Sequence, residues 1–210
     1  MENKINKKNL AEFLSIPLIE ATKIEMAILY LLGEANEKSK KIYKTIIYKF
    51  ISFLELRATQ KYANHFFMMD FVAWEWGSVP YSFMKYVDEY NNTFLYFDYK
   101  KTLDNKIIFS LKNNNDYKKY FNWDYFSEID KKILIEITDF ILEDNKTVKE
   151  LSNIIHEKSR SWQFFWDKRK TKKQNKMNFY LDIKFDNEDE EEKKEIINFY
   201  EESCYKNDKY

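Results

Sequence analysis

Residues 41–62 read KIYKTIIYKFISFLELRATQKY, and this stretch decides the fold class. Ile42, Ile46, Phe50, Phe53 and Leu54 recur at three- and four-residue spacing, which predicts a helix over about Lys41–Tyr62 with one apolar face and its lysines opposite. The same period recurs on either side, so the chain reads as mainly α.

Upstream, Thr22-Lys23-Ile24-Glu25 has the form of a capping box, in which hydroxyl and carboxylate satisfy orphan helix amides reciprocally. It predicts a helix carrying Ile24, Ile28, Leu31 and Leu32 and ending near Asn36, after a partly apolar lead-in over residues 1–21. Downstream, Gly77-Ser78-Val79-Pro80 reads as a turn into a helix, with Ser78 as its cap and Pro80 tolerated in the first turn. Phe94–Tyr99 and Lys106–Leu111 flank a polar turn and read as a β-hairpin. Ser127-Glu128-Ile129-Asp130 opens a helix with Ile129, Ile133, Ile137, Phe140 and Ile141. Thr147-Val148-Lys149-Glu150 is a second capping box, starting a short helix to about His156. Met177, Phe179, Leu181, Ile183 and Phe185 then alternate with polar or amphipathic residues, which predicts a late strand on an edge of the hairpin. The acidic run Glu188–Glu192 reads as the first turn of a last helix. The expected fold is mainly α with a small antiparallel sheet, hairpin plus late strand, in one compact domain.

Composition removes several classes of chemistry. The 210 residues include two glycines and two prolines, about 2 % of the chain, where average usage gives roughly 12 %. Gly33 and Gly77 stand alone, so neither a P-loop nor a dinucleotide-binding glycine fingerprint can be built. The single cysteine, Cys204, excludes an internal disulfide framework and any CxxC zinc site. Two histidines, His65 and His156, cannot form a three-histidine metal site, and no HExxH occurs. No cofactor or metal is expected. The 35 basic residues balance 35 acidic ones, which argues against wholesale binding to nucleic acid. The longest strongly apolar run, Met26–Leu32, is far short of the ~20 residues that span a bilayer. With an N-terminus lacking an apolar leader, the chain reads as a soluble cytoplasmic protein. Lys, Asn, Ile, Phe and Tyr are the residues of A/T-rich codons, so aromatic and lysine abundance alone is weak evidence of binding.

Three clusters could carry function. Trp74, Trp76, Gly77 and Ser78 suggest a recognition surface, since Trp is favoured at interface hot spots, although core packing beside a required glycine is the commoner role. His156 with Ser152, in the stretch that runs on to Ser159, Ser161 and Trp162, could suggest nucleophilic catalysis, but no glycine elbow accompanies the serines, and a histidine closing a helix usually serves polar contacts and the helix dipole. Lys168–Lys173, extending through Lys176, follows Trp162, Phe164, Phe165 and Trp166 and could track a nucleic-acid backbone. The zero net charge favours a solvated basic face instead.

Taken in order, these landmarks resemble the Panacea domain, the family of SocA-like antitoxins. The leading helix is matched by Lys23–Leu32 and the Lys-rich aromatic second helix by Lys44–Leu54. The aromatic followed by Gly-Pro-Val is matched by Trp76-Gly77-Ser78-Val79-Pro80, with Ser78 where the family prefers proline. The Leu-Ser/Thr-x-x-x-His segment with a later Trp is matched by Leu151–His156 and Trp162. The resemblance spans residues 22–167, leaving 168–210 as a basic segment, strand and acidic helix packed on the same domain. It implies a non-enzymatic antitoxin that neutralises a protein toxin encoded by a neighbouring gene, and one type in the family is an adaptor delivering its toxin to a protease. Trp74, Trp76, Gly77, Ser78, His156 and Trp162 are the expected structural or partner-binding centre. The alternative is a nucleic-acid-binding regulator using residues 168–176, and a hydrolase on Ser152 and His156 ranks last.

Overall fold

The structure, a computed structural model, describes residues 10–67, 69–89, 94–112, 116–143, 146–167, 175–184 and 190–205. Helices dominate: α1 over residues 10–14, α2 (Leu18–Glu37), α3 (Lys44–Tyr62), α4 (Tyr81–Glu89), α5 (Glu128–Leu142), α6 (Val148–Lys158), α7 (Arg160–Asp167) and α8 (Glu190–Tyr205). Two small antiparallel sheets complete the fold. One has the order β1 (Ile42–Tyr43), β5 (Ile107–Leu111), β4 (Phe97–Lys101), and the other β3 (Gly77–Pro80), β2 (Phe71–Trp74), β6 (Asn175–Met177). No described helix is long and apolar enough to cross a membrane.

The helix over 41–62 begins three residues later than its periodicity suggests, because Ile42 and Tyr43 pair with Phe109 and Ile108 at the sheet edge. It is also buried almost all round. Between Ile47 and Thr59 only Arg57 is not buried, and the buried set includes Lys49. A helix covered on every side is the centre of a core rather than its wall. α3 packs against α5, α6, β3 and β5.

The capping boxes divide by context. Ser127–Asp130 and Thr147–Glu150 form both reciprocal bonds and start α5 and α6. Thr22–Glu25 does not. α2 starts at Leu18 behind Pro17, and the Thr22 hydroxyl donates back to the Leu18 carbonyl at 2.9 Å, inside the helix. Gly33 lies within α2 because a Cβ there would stand 2.2 Å from the ring of Tyr117, whose hydroxyl donates to Glu34.

The aromatic hairpin forms, but its first strand is Phe97–Lys101 rather than Phe94–Tyr99, with Phe97 paired to Leu111 and Lys101 to Ile107. Phe94 stacks on Phe97 with ring centres 4.5 Å apart and meets Tyr86 edge-on at 5.5 Å. Burying each such ring contributes about 1.5–3 kcal/mol, so this cluster anchors the first sheet to α4.

The late strand is shorter than its alternation predicts, and its partner is different. Among the described residues only Asn175–Met177 pairs, and it pairs with β2 in the second sheet, Met177 opposite Phe71, while Phe185 lies outside the described residues. Met177, Phe179 and Ile183 are buried, but the chain winds into a 3₁₀ turn over Tyr180–Asp182. Asp182 turns inward there. Its carboxylate accepts from the Ser159 hydroxyl at 2.8 Å and the Arg160 amide at 2.7 Å, where α6 ends and α7 begins. Burial raises its pKa against those hydrogen bonds. A carboxylate needed at a helix start has overridden the two-residue period.

Candidate functional site

The segment expected as a turn and cap is a strand. β2 and β3 form a hairpin joined by Glu75 and Trp76, with Trp74 opposite Gly77 and Phe71 opposite Pro80. Pro80 is tolerated because β3 is an edge strand, and its neighbour Tyr81 donates its amide to the Asp70 carbonyl at 3.1 Å. Ser78 caps nothing. Its carbonyl accepts from the Ser52 hydroxyl of α3 at 2.9 Å, while its own buried hydroxyl has no partner among the described residues.

Gly77 is required twice. Its φ of +100° is one that L side chains rarely adopt, and a Cβ would stand 2.8 Å from Lys49 Nζ and 3.4 Å from the Ile155 side chain. The hairpin tip therefore lies directly on α3 and α6. Trp76, beside it, projects outward and is 59 % exposed.

α6 and α7 supply the other half. Thr147 and Glu150 start α6, which ends at Ser159 after His156 and Lys158 in its last turn. The Ser159 hydroxyl accepts the Trp162 amide at 3.0 Å, so α7 follows at once and brings Trp162 back over α6. The His156 ring stacks on Trp162 with centres 3.8 Å apart and planes 12° apart, and Trp162 is nearly parallel to Trp166 at 5.4 Å. Gln163 locks this arrangement by donating to the His156 carbonyl at 2.6 Å. The Trp162 indole N–H donates to the Trp74 carbonyl at 3.0 Å, which ties the stack to the hairpin. Ser152, by contrast, spends its hydroxyl on the Val148 carbonyl at 2.9 Å.

The structure thus brings Trp74, the Trp76–Gly77 tip, His156 and Trp162 together, with Ser78 buried behind them. Sequence reasoning missed Lys49, which sits beneath the tip. It is 3 % exposed, its ammonium has no partner among the described residues, and burial lowers its pKa to about 8. Burial lowers the pKa of His156 as well, and the Lys49 charge adds to this, while its buried Nε2 is likewise unpartnered among the described residues. The signal was present. Lys49 lies three residues after Ile46 and four before Phe53, on the apolar stripe rather than opposite it.

Of the basic segment, residues 168–174 lie outside the described residues, and Lys176 pairs with Asp70 at 3.2 Å. A separate basic cleft of about 470 Å³ has Lys158, Arg160, Lys184 and Lys193 in its wall, with Lys193 also paired to Glu190 at 3.0 Å. Among the described residues no group of three His, Cys, Asp or Glu side chains could hold a metal ion. No family model, curated protein or solved structure matches the chain.

Proposed function

We propose that the chain is an antitoxin of the Panacea type, which neutralises a cognate protein toxin encoded by a neighbouring gene by binding it at the Trp76–His156–Trp162 face. The observation that carries this reading is the exposed Trp76 at the tip of a hairpin that sits on α3 and α6. Gly77 seats the tip on α3 and α6, and the Trp162–Trp74 hydrogen bond fastens it to α7. Backbone already ordered as a hairpin loses less freedom on association than a disordered segment would, and Trp is among the side chains most enriched at hot spots. The face contributes contact area and direction rather than bond-making chemistry. Delivery of the bound toxin to a protease is a variant of the same reading, distinguished by faster toxin turnover in the cell.

Co-expression with the product of the neighbouring gene tests it. Rescued growth and a co-purified complex are expected, and Trp76→Ala should lose both while remaining folded. Neither rescue nor complex from the unaltered chain would sink the proposal.

A second reading, binding of a nucleic-acid backbone, draws on the Lys158, Arg160, Lys184 and Lys193 cleft. It requires affinity that falls steeply as salt rises, because bound counterions are released. Absence of binding to DNA and RNA at low salt removes it.

A further inference from the structure

We infer that Lys49 and His156 form a carboxylate-binding site beneath the hairpin tip, opened by displacement of Glu75–Gly77 and filled by an acidic group arriving at the Trp76 face. Two buried basic nitrogens, Lys49 Nζ and His156 Nε2, are without hydrogen-bond partners among the described residues. They belong to one neighbourhood, since Lys49 Nζ and Ile155 both flank the missing Cβ of Gly77 and the Lys49 charge acts on His156. From β3, Gly77 faces Lys49 Nζ, with Ile155 of α6 beside the same point, and burial alone displaces the Lys49 pKa.

An uncompensated buried cation costs several kcal/mol, and a native fold rarely leaves one unless something completes it. The missing element is an anion with two acceptor atoms. A carboxylate would suit this pair: one oxygen would accept from the Lys49 ammonium and the other from a protonated His156 Nε2, both charge-assisted. A phosphate would bring further oxygens into surroundings made of Ile155 and the Trp162 ring. Ser78 does not join the set, because successive strand side chains face opposite sides and Gly77 faces Lys49. The way in is short, since Trp76 is exposed and the His156 ring is only half-buried.

That the acid belongs to a protein partner rests on the antitoxin reading, whereas the chemistry of the site does not. The test is the Lys49 pKa, followed by NMR of labelled lysine side chains in the full chain. It is measured alone, with acetate, with chloride at equal ionic strength, and in the co-purified complex if one forms. A bound carboxylate should raise the pKa from about 8 by about one unit or more, toward the ordinary lysine value, and should shift the His156 ring resonances. A rise with acetate but not in the complex assigns the site to a free carboxylate; a rise in the complex assigns it to a partner side chain. Lys49→Met should remove the acetate effect on His156, and if that variant does not fold, the titration of the unaltered chain decides. If neither acetate nor the complex moves Lys49 more than chloride does, the inference is overturned. If no complex forms, the antitoxin reading fails and the acetate arm alone judges the site.

Discussion

Two buried charged groups lie six residues apart on α3, roughly 120° apart around the helix, and are treated in opposite ways. Glu55 is 1 % exposed and fully engaged. Its carboxylate accepts the Phe66 and Phe67 amides at 3.0 Å each and meets His65 Nδ1 at 2.5 Å, closing the loop that follows α3. Lys49 is buried as deeply, with no such partner among the described residues. The low interior dielectric strengthens a satisfied polar network and penalises an unsatisfied one. Glu55 therefore reads as a structural clasp, and Lys49 as a site awaiting a counterpart.

Replacing each residue should separate the two roles, beginning with the clasp. Glu55→Ala leaves two buried amides and a histidine without their acceptor and should cost about 3–5 kcal/mol, seen as a lower denaturant midpoint. A loss below about 1 kcal/mol would mean that the clasp contributes no more than a surface pair.

Lys49 should show itself through pH. Its folded pKa, about 8, lies below the unfolded value near 10.5, so between these the unfolded chain binds more protons and stability rises with pH. The expected gain from pH 8 to pH 10 is about 2 kcal/mol in the unaltered chain. Lys49→Met should lack that gain and be no less stable at pH 7. Urea unfolding at the two pH values compares them, and parallel curves would erase the contrast with Glu55.

Gly77→Ala should cost about 1–2 kcal/mol, because alanine at a φ of +100° is strained before any contact with Lys49. Differential scanning calorimetry of the variant, alone and combined with Lys49→Met, should show the cost persisting in the double variant. A cost that vanishes there would place the constraint in the lysine contact. Trp76→Ala should change stability by about 0.5 kcal/mol or less, since its ring is mostly in solvent, and should act on partner binding alone. Thermal unfolding measured beside the pull-down separates the two effects.

How far the sequence carries depends on the range of the interactions involved. Ser127–Asp130 and Thr147–Glu150 were legible because a capping box closes within four residues. Thr22–Glu25 has the same letters and fails, because Pro17 and the buried course of α2 start the helix earlier. The aromatic hairpin was legible from residue type and turn. Gly77-Ser78-Val79-Pro80 was legible as an unusual backbone position, but its reading as a helix cap was wrong, since a strand partner and a hydroxyl from α3 were available across space. Five of the six expected site residues meet at one face, Trp76 by projecting from it, whereas Ser78 is buried behind it.

By itself, then, the sequence determined the helical character, two helix starts, the hairpin, and the one place where scarce glycine and proline cluster. Each follows from steric limits or hydrogen bonds within a few residues. The tertiary structure alone decided that β6 joins β2 rather than the hairpin, that Asp182 leaves its strand to start α7, and that Lys49 is buried under Gly77 while Glu55 is clasped. Those outcomes depend on which polar groups meet after the chain has collapsed, and a buried charge is defined by neighbours that are distant in sequence.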